Sequence, residues 1–463
     1  MGAEDGGAAS PPPCAASEYV GAAGRVYEEK PARASTGRPT TFLYSHPSCI
    51  RHHIKRHPER PERVQVILER LQAVFPWLPH HTDAPPATIE QLQAFHTPMH
   101  VQAVLKWCAK IERSMDELDR IAAESSSNHA ARRETLQQYA TIEIDGDTAL
   151  MRYTREAAVH AAGAACAAVD AVLRGDCLNA FCAVRPPGHH AEPHKAMGFC
   201  IFNNIGIAAM HALETHKLKR VAVLDFDVHH GNGTETKAKS MPQQLFYLST
   251  HQSPFFPHSG HARCNAGNVW NFELTAATSS ATFRRVFQEQ VEPQLHACQP
   301  QLIFISAGFD GHKDDPLAQV NLTADDYEWV TQRIKQIARL HCHGRIVSVL
   351  EGGYSLRALA DCVEAHVGAL LAENADETDV HRALDMTKLQ LTDQPREPLR
   401  LAFSHQSKQK AAVLHTRTMD ALMNLAKTKM GMKKRHVLRT KHGNLVDDAV
   451  LASLEHDAVL YMS

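Results

Sequence analysis

The sequence predicts an α/β protein of three layers, with helices on both faces of a central, mostly parallel sheet. Three observations predict it. Short, wholly apolar runs recur along the chain, stretches of helical periodicity separate them, and each run ends directly in residues able to do chemistry. Apolar residues in succession are how strands buried on both faces read. In open α/β sheets, ligands bind outside the carboxyl ends of such strands.

In chain order, residues 1–40 are rich in Ala, Gly, Pro and Ser and are expected to be disordered. Phe42-Leu43-Tyr44 reads as the first strand. The segment Arg56-His57-Pro58-Glu59-Arg60-Pro61-Glu62-Arg63 leads into a helix whose Val64, Ile67, Leu68, Leu71 and Phe75 form an apolar stripe for the core. Residues 110–145 are polar, pass through Glu124-Ser125-Ser126-Ser127-Asn128-His129, and read as an insertion, either a loop or an exposed helix pair. Arg155 to Arg174 is Ala-rich, the best helix former, and Gly175 stops it. Strands follow at Leu178–Val184, Arg220–Leu224 and Gln244–Leu248. Phe283 to Cys298 is helical by its Phe283, Val286, Phe287 and Gln290 face, with Pro293 expected to break or kink it. Leu302–Ile305 and Ile346–Leu350 are the last core strands; between them Thr323 caps a helix from Ala324 to about His343, with Asp325 and Asp326 suiting its start and Gly344 closing it. These elements make one domain over 41–375. Residues 376–463 are expected to be a helical extension, by the pattern at Val446 to Leu460. That extension carries a basic stretch with Lys427, Lys429, Lys433, Lys434, Arg435, Arg439 and Lys441, which reads as a solvated helix face or a nuclear-import signal.

Composition narrows the function. The 463 residues are 44% hydrophobic, ample for one large domain with appendages. A net charge of −2 disfavours direct nucleic-acid binding. Eleven cysteines without a CxxC pair, and a first basic residue only at Arg25 with no apolar leader, point to reduced thiols in the nucleus and/or the cytoplasm. Apolar runs fall short of the roughly 18 residues a membrane span needs, so no membrane role is expected.

Four segments carry the chemistry: Arg185-Pro186-Pro187-Gly188-His189-His190, Asp225-Phe226-Asp227-Val228-His229-His230-Gly231-Asn232-Gly233, Ala307-Gly308-Phe309-Asp310, and Glu351-Gly352-Gly353-Tyr354. A lone His in a chain holding 31 of them is usually a satisfied polar residue; the conjunction is what counts. Asp227 and His229 stand two apart, so on an extended strand end they point the same way. With Asp310 they offer two oxygens and one nitrogen, a set suited to Zn²⁺, with Fe²⁺ or Mn²⁺ as alternatives. His189 and His190 alternate in direction and can take separate partners, for which Asp225 and Asn232 are the candidates. A carboxylate behind His189 favours its charged form, and the uncharged amide behind His190 leaves that ring as general base towards a water activated by the metal. Gly352-Gly353 lets the backbone turn so that Tyr354 can donate to a tetrahedral oxyanion, although Tyr after Gly-Gly is more often a packing residue. Gly198, Phe199, Phe255 and Phe256 are candidate walls for a slim alkyl chain, and Leu317, just past Asp310, a candidate for the pocket rim.

From about Phe42 to Asn374 these segments, in this order, resemble the zinc-dependent histone deacetylases of the arginase/deacetylase superfamily, and within them class II, by His57-Pro58-Glu59-Arg60-Pro61 and by Asn232. The resemblance implies hydrolysis of N6-acetyl-lysine in histone tails or other proteins, Zn²⁺ at Asp227, His229 and Asp310, and an acetyl-lysine tunnel between Phe199 and Phe256 with Gly198 lining it. It also implies a structural K⁺ near the Asp225, Asp227 and His229 carbonyls and Ser249, and a corepressor-type complex or homo-oligomer. Tyr354 sets the chain apart from the branch that carries His there. Polyamine-deacetylating relatives resemble the segment around Leu317 but carry glutamate in its place. The alternatives are an acetylpolyamine or other small-molecule amidohydrolase on the same site, and a weakly active scaffold; a binuclear arginase-like centre lacks the extra carboxylates.

Overall fold

The computed structural model describes residues 18–21, 26–28, 41–123, 136, 140–372, 399–405, 408–414, 438–439 and 458–462. The chain divides into two compact units, Met1–Asn374 and Ala375–Ser463.

The first unit opens with two three-residue strands, β1 (Glu18–Val20) and β2 (Val26–Glu28), paired antiparallel. That corrects the expectation of disorder at these residues: Tyr19, Val20, Val26 and Tyr27 are strand formers. The central sheet holds β3 (Thr41–Tyr44), β4 (His80–His81), β7 (Asn179–Cys182), β8 (Val221–Asp225), β9 (Leu245–Gln252), β10 (Val269–Leu274), β11 (Ile303–Ala307) and β12 (Ile346–Leu350). Its spatial order is β10-β9-β8-β11-β12-β7-β3-β4, and every pairing is parallel. Alternate residues serve opposite faces. Val221, Val223, Phe304, Val347 and Val349 join one buried cluster, whereas Ala222, Leu224, Ile303, Ile305 and Leu350 join the other. Helices therefore cover both faces, as the unbroken apolar runs require.

Helix Thr154–Arg174 ends where expected, at Gly175 in the left-handed conformation with φ 76°. By length and composition it is apolar enough to cross a membrane, but its Ala161, Ala165, Val169 and Val172 are buried against the sheet. Helix Ala324–Cys342 starts as predicted, with the Asp326 carboxylate accepting from the Thr323 amide (2.9 Å) and hydroxyl (3.2 Å).

The 283–298 helix is interrupted just ahead of Pro293, as expected: it runs Ser280–Val286, widens into a π-turn over Phe287–Val291, and resumes at Glu292–Cys298 with Pro293 in its first turn. The polar 110–145 stretch is no separate insertion at its ends. Residues 110–123 close a long helix, Pro98–Ala123, whose Val101, Val104, Cys108 and Ile111 are buried. Its acidic face is exposed at Asp116 and Asp119, as read, and there Glu112, Asp116 and Asp119 pair with Arg155 and Arg152. Residues 141–145 form β5 (Thr141–Asp145), which makes a hairpin with β6 (Thr148–Met151). Residues 124–135 and 137–139 lie outside the described residues.

In the second unit the described residues are strands where helices were expected: β13 (Leu399–His405), β14 (Lys408–Leu414), β15 (Leu438–Arg439) and β16 (Ala458–Met462), ordered β14-β13-β16-β15. The alternation Leu399, Leu401, Phe403 and the run Val459-Leu460-Tyr461 suit strands. Most of the 446–460 pattern and, apart from Arg439, the basic stretch lie outside the described residues.

Candidate active site

Strand order decides where the chemistry gathers. Successive connections run to β9 and β10 on one side of β8, then cross back to β11 on the other. Asp225 ends β8 with Asp227 and His229 just after it, and Asp310 follows β11 at the carboxyl edge. The His189–His190 turn comes from beyond β7, and Glu351 to Tyr354 from the end of β12.

His229 Nδ1 lies 3.2 Å from Asp227 Oδ1 and 3.0 Å from Asp310 Oδ2. The other oxygen of each carboxylate is held by backbone: Gly352 N–H donates to Asp227 Oδ2 (2.8 Å) and Val228 N–H to Asp310 Oδ1 (2.9 Å). Asp310 Oδ2 and Asp227 Oδ1, which also accepts from the His229 amide (2.8 Å), thus face the imidazole, so the set can hold a metal ion. Burial would raise Asp227, but His189 and His229 hold it low; burial and the Asp227 charge push Asp310 up.

Both second partners expected from the sequence are present. His189 Nδ1 meets Asp225 Oδ2 at 3.0 Å, and Tyr247 O–H donates to the same oxygen at 3.0 Å. Burial alone would lower His189, but Asp227 and Asp225 outweigh it and hold it at about 10. His190 Nδ1 meets Asn232 Oδ1 at 2.9 Å. The Asn232 amide nitrogen donates to Glu192 (2.8 Å), so its oxygen must face His190. His190 therefore carries its proton on Nδ1 and leaves Nε2 with the lone pair. Burial, then the charges of His189 and His229, push His190 well below the ordinary histidine range.

Above these groups lies a pocket of about 210 Å³, whose lining includes His190, His229, Gly198, Phe199, Phe256, Leu317 and Tyr354. Gly198 has φ 57°, and a Cβ there would sit 2.5 Å from the His190 ring, so only glycine lets that wall approach the base. Phe199 meets Tyr354 edge-on (5.9 Å between centroids) and Phe256 meets His190 likewise (5.1 Å); Phe255 stacks on His229 (5.2 Å). Burial pushes the Tyr354 phenol well up despite Arg63 beside it, keeping the hydroxyl a donor. Leu317 lines the pocket as expected. Asp314 is two-thirds exposed, and the Asp315 carboxylate accepts from the amides of Tyr354 (2.6 Å), Ser355 (3.2 Å) and Leu317 (2.9 Å).

Four contributors were given no role from the sequence. Asp147, in the β5–β6 turn, lines the pocket and accepts from the Gly198 amide at 3.1 Å. Glu351 is buried and accepts from the Gly188 (2.7 Å) and His189 (3.1 Å) amides, fixing the histidine turn. Arg63 donates to the carbonyls of Gly353 (2.6 Å) and Glu351 (2.5 Å), with its guanidinium 4.9 Å from the Tyr354 ring centre. Glu59 holds Arg63 in turn, at 3.2 Å. The segment from Arg56 to Arg63 was the available signal for the last two, but nothing local ties it to Tyr354.

Comparison with known proteins gives the family. Residues 57–370 match the Histone deacetylase domain family. Type-2 histone deacetylase 2 of Dictyostelium discoideum is 35% identical over 372 residues, 74% of this chain but only 21% of that longer one. Histone deacetylase 14, chloroplastic, of Arabidopsis thaliana is 34% identical, with 72% of this chain and 77% of that one covered. A Histone deacetylase-like amidohydrolase of Pseudomonas aeruginosa is 41% identical over 42% of this chain and 52% of its own. The crystal structure of the HDA15 HD domain superposes with a TM-score of 0.60 at 30% identity, covering 76% of this chain and 95% of that chain. By the extent of these matches, the chain belongs to the histone deacetylase domain family.

Proposed function

We propose that the protein hydrolyses the acetyl amide of N6-acetyl-lysine in histone tails or other proteins, as a zinc enzyme of class II type. The observation that carries the reading is the pair of unlike histidines, one backed by a carboxylate and one by an amide, beneath an apolar pocket beside a carboxylate–histidine–carboxylate set. The donor set fits zinc: its two short separations, 3.0 and 3.2 Å, are near the roughly 3.3 Å edge of a tetrahedron with about 2.0 Å bonds. When bound at Asp227, His229 and Asp310, zinc supplies Lewis-acid polarisation of the acetyl carbonyl and lowers the pKa of water. His190 Nε2 then takes the proton of the attacking water. His189, kept charged by Asp227 and Asp225, supplies positive charge beside it, and the proton taken by His190 passes to the departing lysine amine as the C–N bond breaks. Tyr354 donates its O–H to the developing oxyanion from the pocket wall. Phe199, Phe256 and Leu317 flank an alkyl stem, with apolar burial worth about 1–2 kcal/mol for a side chain of that size.

A second reading has one observation in its favour. Asp147 places a carboxylate in the pocket lining, and such a charge would also suit the free amine of an acetylpolyamine. Against it, Leu317 gives no counter-charge, Asp314 faces solvent and Asp315 is engaged with backbone. Acetyl-lysine peptides are expected to exceed N8-acetylspermidine in kcat/KM, and Leu317→Glu to narrow the gap. Comparing both substrates on wild type and on Leu317→Glu tests this; a wild-type preference for the polyamine overturns the protein-substrate reading.

A further inference from the structure

Far from the pocket, three ligand-type side chains converge at the other edge of the sheet. Asp170 lies in the last turns of helix Thr154–Arg174, and His211 in the last turn of helix Asn204–Glu214, which packs beside it. His216 follows that second helix. There the chain folds back through Lys217, a non-glycine residue with φ 59°, while the His216 amide donates to the His211 carbonyl (3.4 Å) and Leu218 to Ala212 (3.2 Å). The result brings His216 Nε2 to 2.6 Å and His211 Nε2 to 2.8 Å from the same oxygen, Asp170 Oδ1. The two rings stand nearly perpendicular, 5.3 Å apart, and the three donor atoms all lie within 4.8 Å of one another. The next strand, β8, begins at Val221, so the cluster sits by the amino end of the strand whose carboxyl end carries Asp225.

We propose that Asp170, His211 and His216 form a second divalent transition-metal site, of zinc type, separate from the catalytic centre. Two imidazole nitrogens and one carboxylate oxygen suit zinc and its neighbours cobalt, nickel and copper, and are a poor match for calcium or magnesium, which take oxygen cages. The positions are graded in exposure as a three-ligand site needs. His211 is 8% exposed and fixed, Asp170 36% and His216 26%, so water can complete the coordination from the open side. Beside His211, the Gln91 side-chain amide nitrogen lies 3.4 Å from Nδ1, with Gln91 Oε1 taken up by the Thr88 amide; a metal on Nε2 puts the ring proton on Nδ1, so this amide nitrogen has to turn aside as the ion binds. Seating an ion at about 2.0 Å from each donor asks Asp170 Oδ1 to part from the two imidazole nitrogens, now 2.6 and 2.8 Å away, towards a tetrahedral edge of roughly 3.3 Å, which partly exposed Asp170 and His216 can do without disturbing the core. The bland alternative is a hydrogen-bonded carboxylate between two imidazoles, and it binds no metal. Bound metal would tie the end of one helix to the turn that leads into β8, so it stabilises the fold in proportion to its occupancy. It takes no part in turnover.

The test is metal stoichiometry on the full chain, stripped with chelator and retitrated with Zn²⁺ and with Co²⁺, together with thermal unfolding. Wild type is expected to take two equivalents, and Asp310→Ala one. His211→Ala/His216→Ala is expected to take one, to keep its deacetylase turnover, and to lose the part of the metal-dependent rise in Tm due to the second ion. Should the double variant fold poorly, His216→Gln on the surface serves instead, with the second equivalent weakened at least tenfold. A wild type that binds a single equivalent, lost in Asp310→Ala, overturns the proposal, as does a second equivalent that survives the histidine replacements.

Discussion

Replacing Glu59 by Gln removes one charge from a site with almost no water. Glu59 Oε1 accepts from Arg185 Nε (2.6 Å) and Arg63 Nη1 (3.2 Å), and Oε2 from Arg185 Nη2 (2.6 Å). Both guanidinium side chains are 0% exposed and the carboxylate 2%. Burial would raise Glu59, yet Arg185 and Arg63 bring it down from 4.5 to about 2. A shift of that size corresponds to about 3 kcal/mol of native-state stabilisation of the anion. Breaking a buried pair by neutralising one partner typically costs about 3–5 kcal/mol, so the two routes agree. Glutamine keeps the shape but turns an N–H₂ towards a guanidinium. The expected loss is therefore about 3 kcal/mol at pH 7, read by equilibrium denaturant unfolding followed by tryptophan fluorescence. Because the folded pKa is depressed, the stabilisation is present above about pH 4.5 and is lost as pH falls through about 2. The gap between wild type and Glu59→Gln should accordingly close over that window. A gap under 1 kcal/mol at pH 7, or one unchanged by acid, refutes the reasoning.

Other outcomes follow from the same geometry. Asp310→Ala or His229→Ala removes a metal ligand and should abolish turnover together with one equivalent of zinc, measured by elemental analysis; full activity in either variant contradicts the assignment. Tyr354→Phe removes only a hydroxyl and should lower kcat by about 10²–10³ with zinc retained. His190→Ala should lose about 10²–10⁴ in turnover, again with zinc retained, and a near-normal rate would reassign the base.

The parallel sheet was legible because both its faces are buried: runs such as Val221 to Leu224 and Ile346 to Leu350 must be apolar at every position, and a local window sees that. Asp227 and His229 were legible together because strand-like alternation is also local. The pairing of His189 with Asp225 and of His190 with Asn232 could be foreseen only as a matching of chemistries, and the fold made it a geometry across 36 and 42 residues. Tertiary structure alone decided the rest. Arg185 reaches Glu59 over 126 residues and Arg63 reaches Gly353 over 290, separations at which periodicity carries no information. The helix Pro98–Ala123 hid its extent because its acidic residues find their arginines on other elements. Asp147 enters the pocket only because a hairpin folds it there, and Asp170 meets His211 and His216 only because two helices pack side by side. The sequence by itself determined which residues could do chemistry and which stretches had to be buried, because both are properties of single residues and short repeats. Which charges would face one another was settled by the order of the strands, since only chain crossing brings distant residues within hydrogen-bond reach.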